Sequence, residues 1–153
     1  MQKISTCLWF DSQAEQAAKF YCGIFRNSKI RQVTHYGEAG PGPKGSVMTV
    51  AFELDGREFL ALNGGPVFQF NHAVSLIVNC ETQQELDDMW NRLSAGGATE
   101  QCGWLRDKYG LSWQIVPAIL PQLMKDPATA DKVMQAILKM IKLDIAVLQR
   151  AAA

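Results

Sequence analysis

The sequence predicts an α+β fold made of two copies of a β-α-β-β-β module followed by helices. Three observations carry this. A capping-box pattern follows a strand-like run twice, at Ser12-Gln13-Ala14-Glu15 and again at Thr82-Gln83-Gln84-Glu85. Behind each box lies a helical apolar stripe, and behind each stripe a series of short strands with no helix between them. That order disfavours a parallel α/β sheet and favours a repeated module. Only after Pro117 does the pattern turn helical again.

In the first module Ile4 to Phe10 reads as a strand, with Ile4, Thr6, Leu8 and Phe10 on one face and Ser5, Cys7 and Trp9 on the other. The helix after Ser12 carries Ala14, Ala17, Ala18, Phe20, Tyr21, Ile24 and Phe25 as its apolar stripe. Gly23 within it would permit close packing on a sheet. Lys29 to Tyr36 is strand-like. The glycine- and proline-rich segment from Gly37 to Gly45 reads as a surface connection or, functionally, as a flap over a pocket. Two strands, Ser46 to Leu54 and Arg57 to Asn63, meet at Asp55-Gly56, a short-hairpin signal. Asn63-Gly64-Gly65-Pro66 ends the module, and Val67 to Asn71 connects it onward.

The second module repeats the plan. His72 to Cys80 is a strand, and Leu86, Met89, Trp90 and Leu93 line a helix that stops at Gly96-Gly97. Short strands follow around Glu100 to Leu105 and Leu111 to Val116. In the last of these, alternation places Ser112, Gln114 and Val116 opposite Leu111, Trp113 and Ile115. Gln114 is therefore a polar residue in the middle of an apolar strand, where only a pocket or a hydrogen bond offsets the cost of burying its amide. Helices are predicted over Ala118 to Lys125 and Ala128 to Ile141, the second opened by Asp126-Pro127 and striped by Val133, Met134, Ile137, Leu138 and Ile141. A tail runs from Leu143. Residues 1–117 thus form one domain of paired modules (about 1–66 and 67–117), and 118–153 a helical extension.

Bulk properties exclude several functions. Fifteen basic residues balance fifteen acidic ones, and no basic cluster interleaves with aromatics, so nucleic acid is not an expected partner. No apolar run reaches membrane-span length, and the chain enters a strand without a leader-like core, which points to the cytoplasm. Cys7, Cys22, Cys80 and Cys102 lack any C-x-x-C spacing and read as buried free thiols. Gly37, Gly40 and Gly42 open no helix and are not a dinucleotide fingerprint. His35 reads as a solvated strand residue and His72 as a strand-start residue, with nothing to position either for proton transfer. Trp9 and Trp113 are expected under the helices, Trp90 in a helix stripe and Trp104 as a pocket wall.

With the repeat in view, the chain resembles the vicinal oxygen chelate superfamily, the fold of glyoxalases, bleomycin-resistance proteins and extradiol dioxygenases. Within it the likeness is to the PhnB-like branch, often labelled after 3-demethylubiquinone-9 3-methyltransferase. The resemblance spans Ile4 to about Leu148. It is carried by Phe20-Tyr21-Cys22-Gly23-Ile24-Phe25, by Asn71-His72-Ala73-Val74-Ser75-Leu76, by Gly103-Trp104-Leu105, and by Asp107 to Pro117. It implies a half-open mixed sheet around a cavity. Metal-dependent members of the superfamily hold one divalent ion with four inward side chains from the first and last strand of each module. Carried over, those positions are Thr6, Ala61, Ser75 and Gln114, of which only Gln114 is a good donor. The resemblance therefore comes with the expectation of no metal and no cofactor.

The favoured function is a metal-free small-molecule binder whose pocket is lined by Thr6, Leu8, Asn63, Ser75, Trp104 and Gln114, taking an apolar or aromatic compound. A homodimer is the expected assembly. An enzyme with an atypical divalent-metal site and a purely structural dimerising module are the alternatives. The literal methyltransferase is disfavoured, because no glycine-rich strand-to-helix turn is present to hold its methyl donor.

Overall fold

The structure, a computed structural model, describes residues 1–153 and divides into two compact units, Met1–Phe70 and Asn71–Ala153. The first holds β1 (Thr6–Phe10), α1 (Ala14–Ile24), β2 (Lys29–His35), β3 (Val47–Leu54) and β4 (Arg57–Asn63). The second holds β5 (Ser75–Cys80), α2 (Gln83–Ser94), β6 (Ala98–Thr99), β7 (Trp104–Arg106) and β8 (Ser112–Pro117). It also holds three helices, α3 (Leu120–Leu123), α4 (Pro127–Ile137) and α5 (Ile145–Ala152).

Each unit builds an open four-stranded mixed sheet, and the two strand orders correspond: β1-β4-β3-β2 and β5-β8-β7-β6. In both, the first strand lies parallel to the last and the other pairings are antiparallel. The module repeat read from two capping boxes is thus a repeat of topology. The hairpin at Asp55-Gly56 turns with both residues at positive φ, as a two-residue turn that follows the strand twist requires.

In unit 1 the register sets the faces. Leu8 pairs with Ala61, and Ala61 with Val50; with Phe10, Phe52, Leu54 and Phe59 they form the buried side against Ala14, Ala17, Ala18, Tyr21 and Ile24 of α1. Cys7, Trp9, Leu60 and Leu62 occupy the opposite face, where all are at least partly exposed. Trp9 is therefore not packed under a helix. Its indole N–H donates to Gly65 O at 3.0 Å and its ring meets Phe68 edge-on.

Several other expectations change. The first capping box does not form: Gln13 is the N-cap residue without a side-chain bond, because Asn63 Oδ1 takes the Ala14 N–H at 2.8 Å. The second forms in half. Thr82 Oγ1 accepts from Glu85 N at 3.1 Å, while the Glu85 carboxylate accepts not from the cap residue but from Glu81 N before it, at 2.7 Å. Gly23 is solvent-exposed with open space where a Cβ would stand, so it serves no close packing. Cys80 alone is a fully buried thiol, its pKa pushed up to about 12 by burial and then by Glu85 and Glu81; Cys7 is exposed.

In unit 2, Leu105, Trp113, Ile115 and Cys80 are buried on the side of α2, whose Leu86, Trp90 and Leu93 face them. The short strands expected around Glu100 to Leu105 fall at the edges of that stretch: β6 ends before it at Thr99, β7 starts at Trp104, and a turn parts them. The tail from Leu143 is a helix, α5, capped by Asp144 Oδ1 on Val147 N at 3.1 Å. α4 ends at Ile137, where its last turn tightens, and the segment from Leu138 to Asp144 lies between helices.

Candidate functional site

The Asp107 turn that opens β8 is held by one carboxylate. Asp107 is 3% exposed; its Oδ1 accepts from Tyr109 N at 2.8 Å and Leu111 N at 3.1 Å, and its Oδ2 from Trp113 Nε1 at 2.9 Å. With Asp107 N on Leu111 O and Gly110 N on Asp107 O, each at 2.9 Å, the turn starts β8 in a fixed register. That register sends Trp113 and Ile115 into the core and turns Gln114 to the other face.

On that open face of the second sheet, neighbouring strands bring Ser75, Trp104 and Gln114 together. Ser75 pairs with Ser112, and Gln114 pairs with Trp104 on one side and Ile77 on the other. Gln114 Nε2 donates to Ser75 Oγ at 2.9 Å, which answers how its amide is accommodated. Its carbonyl oxygen has no partner in the protein, and neither has the half-buried Trp104 indole N–H. Ile77, 57% exposed, supplies an apolar floor. The Ser112 hydroxyl, fully buried beneath, is unpaired.

A charged rim borders this face. Glu100 Oε2 accepts from His72 Nε2 at 2.8 Å and lies 3.4 Å from Arg106 Nε, while Glu100 Oε1 is buried and unpaired. The His72 and Trp104 rings stand 6.5 Å apart. Sequence reasoning missed Glu100 and Arg106 and gave His72 no partner. β6 and β7 are too short to show a period; Glu100 meets Arg106 across a turn, and His72 stands 28 residues before Glu100 in the chain.

The other proposed pocket residues lie elsewhere. Thr6 and Leu8 share the helix-facing side of the first sheet, and Leu8 is 4% exposed beneath α1, so neither joins an open face. Asn63 borders a cleft of about 610 Å³ beside the start of α1, also lined by Asp11, Glu15, Lys19 and Tyr36. Its amide is used within the fold, accepting from Ala14 N and donating to Val47 O at 3.1 Å. Tyr36 is likewise committed, its hydroxyl donating to Asn63 O at 2.5 Å. Gly40 and Gly42 close on the Tyr36 ring, where a Cβ would come within 2.4 Å and 2.3 Å, so part of the Gly37–Gly45 segment is packed.

The donor set does not fit a divalent metal. Ala61 has no donor, and it shares with Thr6 the helix side of its sheet. The open face of that sheet offers a thiol and an indole beside Leu60 and Leu62, and that of the second sheet hydroxyls and an amide. No three His, Cys, Asp or Glu side chains converge.

Comparison with known proteins agrees with this architecture. The sequence profile of the 3-demethylubiquinone-9 3-methyltransferase family matches residues 2–116. The PhnB protein of Bacillus cereus, given the same description, is 39% identical over 76% of this chain and 98% of its own, with a TM-score of 0.69. A Pseudomonas aeruginosa protein shares the fold at 18% identity, 76% and 97% coverage and a TM-score of 0.62. So does the Listeria monocytogenes fosfomycin resistance protein FosX, solved with manganese(II) and a dihydroxypropylphosphonic acid, at 14% identity, 82% and 99% coverage and a TM-score of 0.57. No curated protein matches the chain. On the profile match and the Bacillus cereus relative, the chain belongs to the 3-demethylubiquinone-9 3-methyltransferase family, the PhnB-like branch of the vicinal oxygen chelate superfamily.

Proposed function

We propose that the protein binds a small, mainly apolar or aromatic molecule on the open face of its second sheet, without a metal. The observation that carries this is the pairing of free polar atoms with apolar surface there. Gln114 offers an unpaired carbonyl oxygen and Trp104 an unpaired indole N–H beside exposed Ile77. Ligand sites commonly combine apolar walls with a few polar groups that set orientation. A hydroxyl both donates and accepts, so a phenol-like compound would satisfy both atoms while its ring covers Ile77 and Trp104.

The methyltransferase description does not supply a better reading. The β1–α1 connection, Asp11-Ser12-Gln13, has no glycine, and the sheets are not the parallel type that holds a large methyl donor. The four free thiols suit the reducing cytoplasm assumed for the protein. A homodimer belongs to the same reading, with exposed Met134, Leu138 and Ile141 as an apolar face; a monomer mass by light scattering would remove it.

The test is calorimetric titration with para-cresol and, as a control lacking the hydroxyl, toluene. Para-cresol is expected to bind the tighter. Gln114→Leu should cut para-cresol affinity by about fivefold, the worth of one hydrogen bond, and leave toluene unchanged. Equal para-cresol affinity in the variant, or none in the wild type, would reject the assignment.

A further inference from the structure

We infer that the segment Met140–Ile145 is a strap that positions Trp104, and so sets the wall of the face proposed above to bind ligand. The functional half of this rests on that proposal; the mechanical half does not. The family match ends at residue 116, so the strap lies beyond the matched stretch.

The argument begins at the turn before Trp104. Cys102 and Gly103 stand at φ +61 and +84, consecutive left-handed residues, and a side chain at the first makes that conformation costly. The turn is held from two sides. Cys102 N donates to Met140 O at 2.9 Å and Gly103 N to Ile141 O at 2.8 Å, while Gly103 O accepts from Ile115 N of β8 at 2.8 Å. Leu143, 1% exposed, fills the space over Gly103, where a Cβ would lie 3.0 Å from Leu143 Cγ.

The strap is itself clamped to α2. Gln83 Nε2 donates to Leu143 O at 3.1 Å, and Gln83 Oε1 accepts from Ile145 N at 2.8 Å. Lys142 Nζ sits 2.8 Å from Asp87 Oδ1. One glutamine on the first turn of α2 thus fixes the backbone on both sides of Asp144. Trp104 follows Gly103 directly, and its carbonyl accepts from Glu100 N at 2.9 Å. A displacement of the turn therefore moves the indole and the carboxylate of the rim together. Gln83 and Leu143 act as positioning residues.

The experiment uses the full chain and the variants Gln83→Ala and Leu143→Ala. Amide hydrogen exchange reads the strap, and fluorine NMR of fluorotryptophan-labelled protein reads Trp104, assigned by Trp104→Phe. In Gln83→Ala, exchange at Cys102 and Gly103 should quicken about tenfold, consistent with freeing locally held amides. The Trp104 resonance should shift while those of Trp9 and Trp90 hold, which a general loss of stability would not produce. Leu143→Ala should do the same more strongly; should it fail to fold, Gln83→Ala decides alone. Unchanged exchange and an unmoved Trp104 resonance in folded Gln83→Ala would overturn the strap. Neither readout needs a ligand, so failure of para-cresol to bind the wild type would refute the binding site and leave this result standing.

Discussion

At the scale of single residues, Asp107 and Gln114 are two polar groups in one apolar stretch with opposite uses. Both oxygens of Asp107 are occupied by N–H donors of its own turn and strand. Its role is to accept. Asp107→Ala would leave two backbone N–H groups and a buried indole N–H without partners, and should cost about 3 kcal/mol, allowing 1–3 for each unsatisfied buried donor and partial relaxation. Asp107→Asn should not rescue it, since either amide orientation turns an NH2 toward a donor. Urea denaturation measures both; an Asn variant as stable as the wild type would contradict the acceptor role. Gln114 keeps one end free. The sequence marks Gln114 because it interrupts an apolar alternation. It does not mark Glu100 or Arg106, because a charged residue near a turn is unremarkable until the fold sets a histidine against it.

Among elements, legibility followed length and period. β3, β4, α2 and β8 emerged close to their predicted limits because each has enough turns or alternations to show a repeat. β6 and β7, of two and three residues, have none. The first helix was found, but its cap was misassigned: the Ser12 pattern is local, whereas the group that takes the Ala14 N–H comes from Asn63 at the end of β4. α5 was missed although Asp144 offers a cap, because the stretch before it reads as the end of one long helix. The faces of β1 show the same limit from another side. Alternation correctly separated Leu8 from Trp9 but could not say which side α1 would cover; Ala61 and Val50, small or branched partners in register with Leu8, decide it. That choice removed Thr6 and Leu8 from the open face.

For the molecule as a whole, both units repeat one sheet order, yet their open faces differ in chemistry. The first presents Cys7, Trp9, Leu60 and Leu62, the second Ser75, Ile77, Trp104 and Gln114. A fold-mate solved with manganese(II) shares only 14% identity, so the likeness is one of architecture and assigns no site. A divalent transition metal needs three or four imidazole, carboxylate, thiolate or other polar donors, and the strand positions here supply one amide. The expected outcome is therefore that manganese, nickel, zinc, cobalt and iron(II) give no saturable thermal stabilisation. A ligand at a hundred times its dissociation constant adds about 2.7 kcal/mol. In a chain of this size that raises the melting temperature by roughly 5–10 °C. A shift below about 1 °C, with no stoichiometric metal in protein purified without added salts, fits the donor set. A saturating rise of several degrees that Gln114→Leu abolishes would instead make Gln114 a metal ligand, and the second face a metal centre.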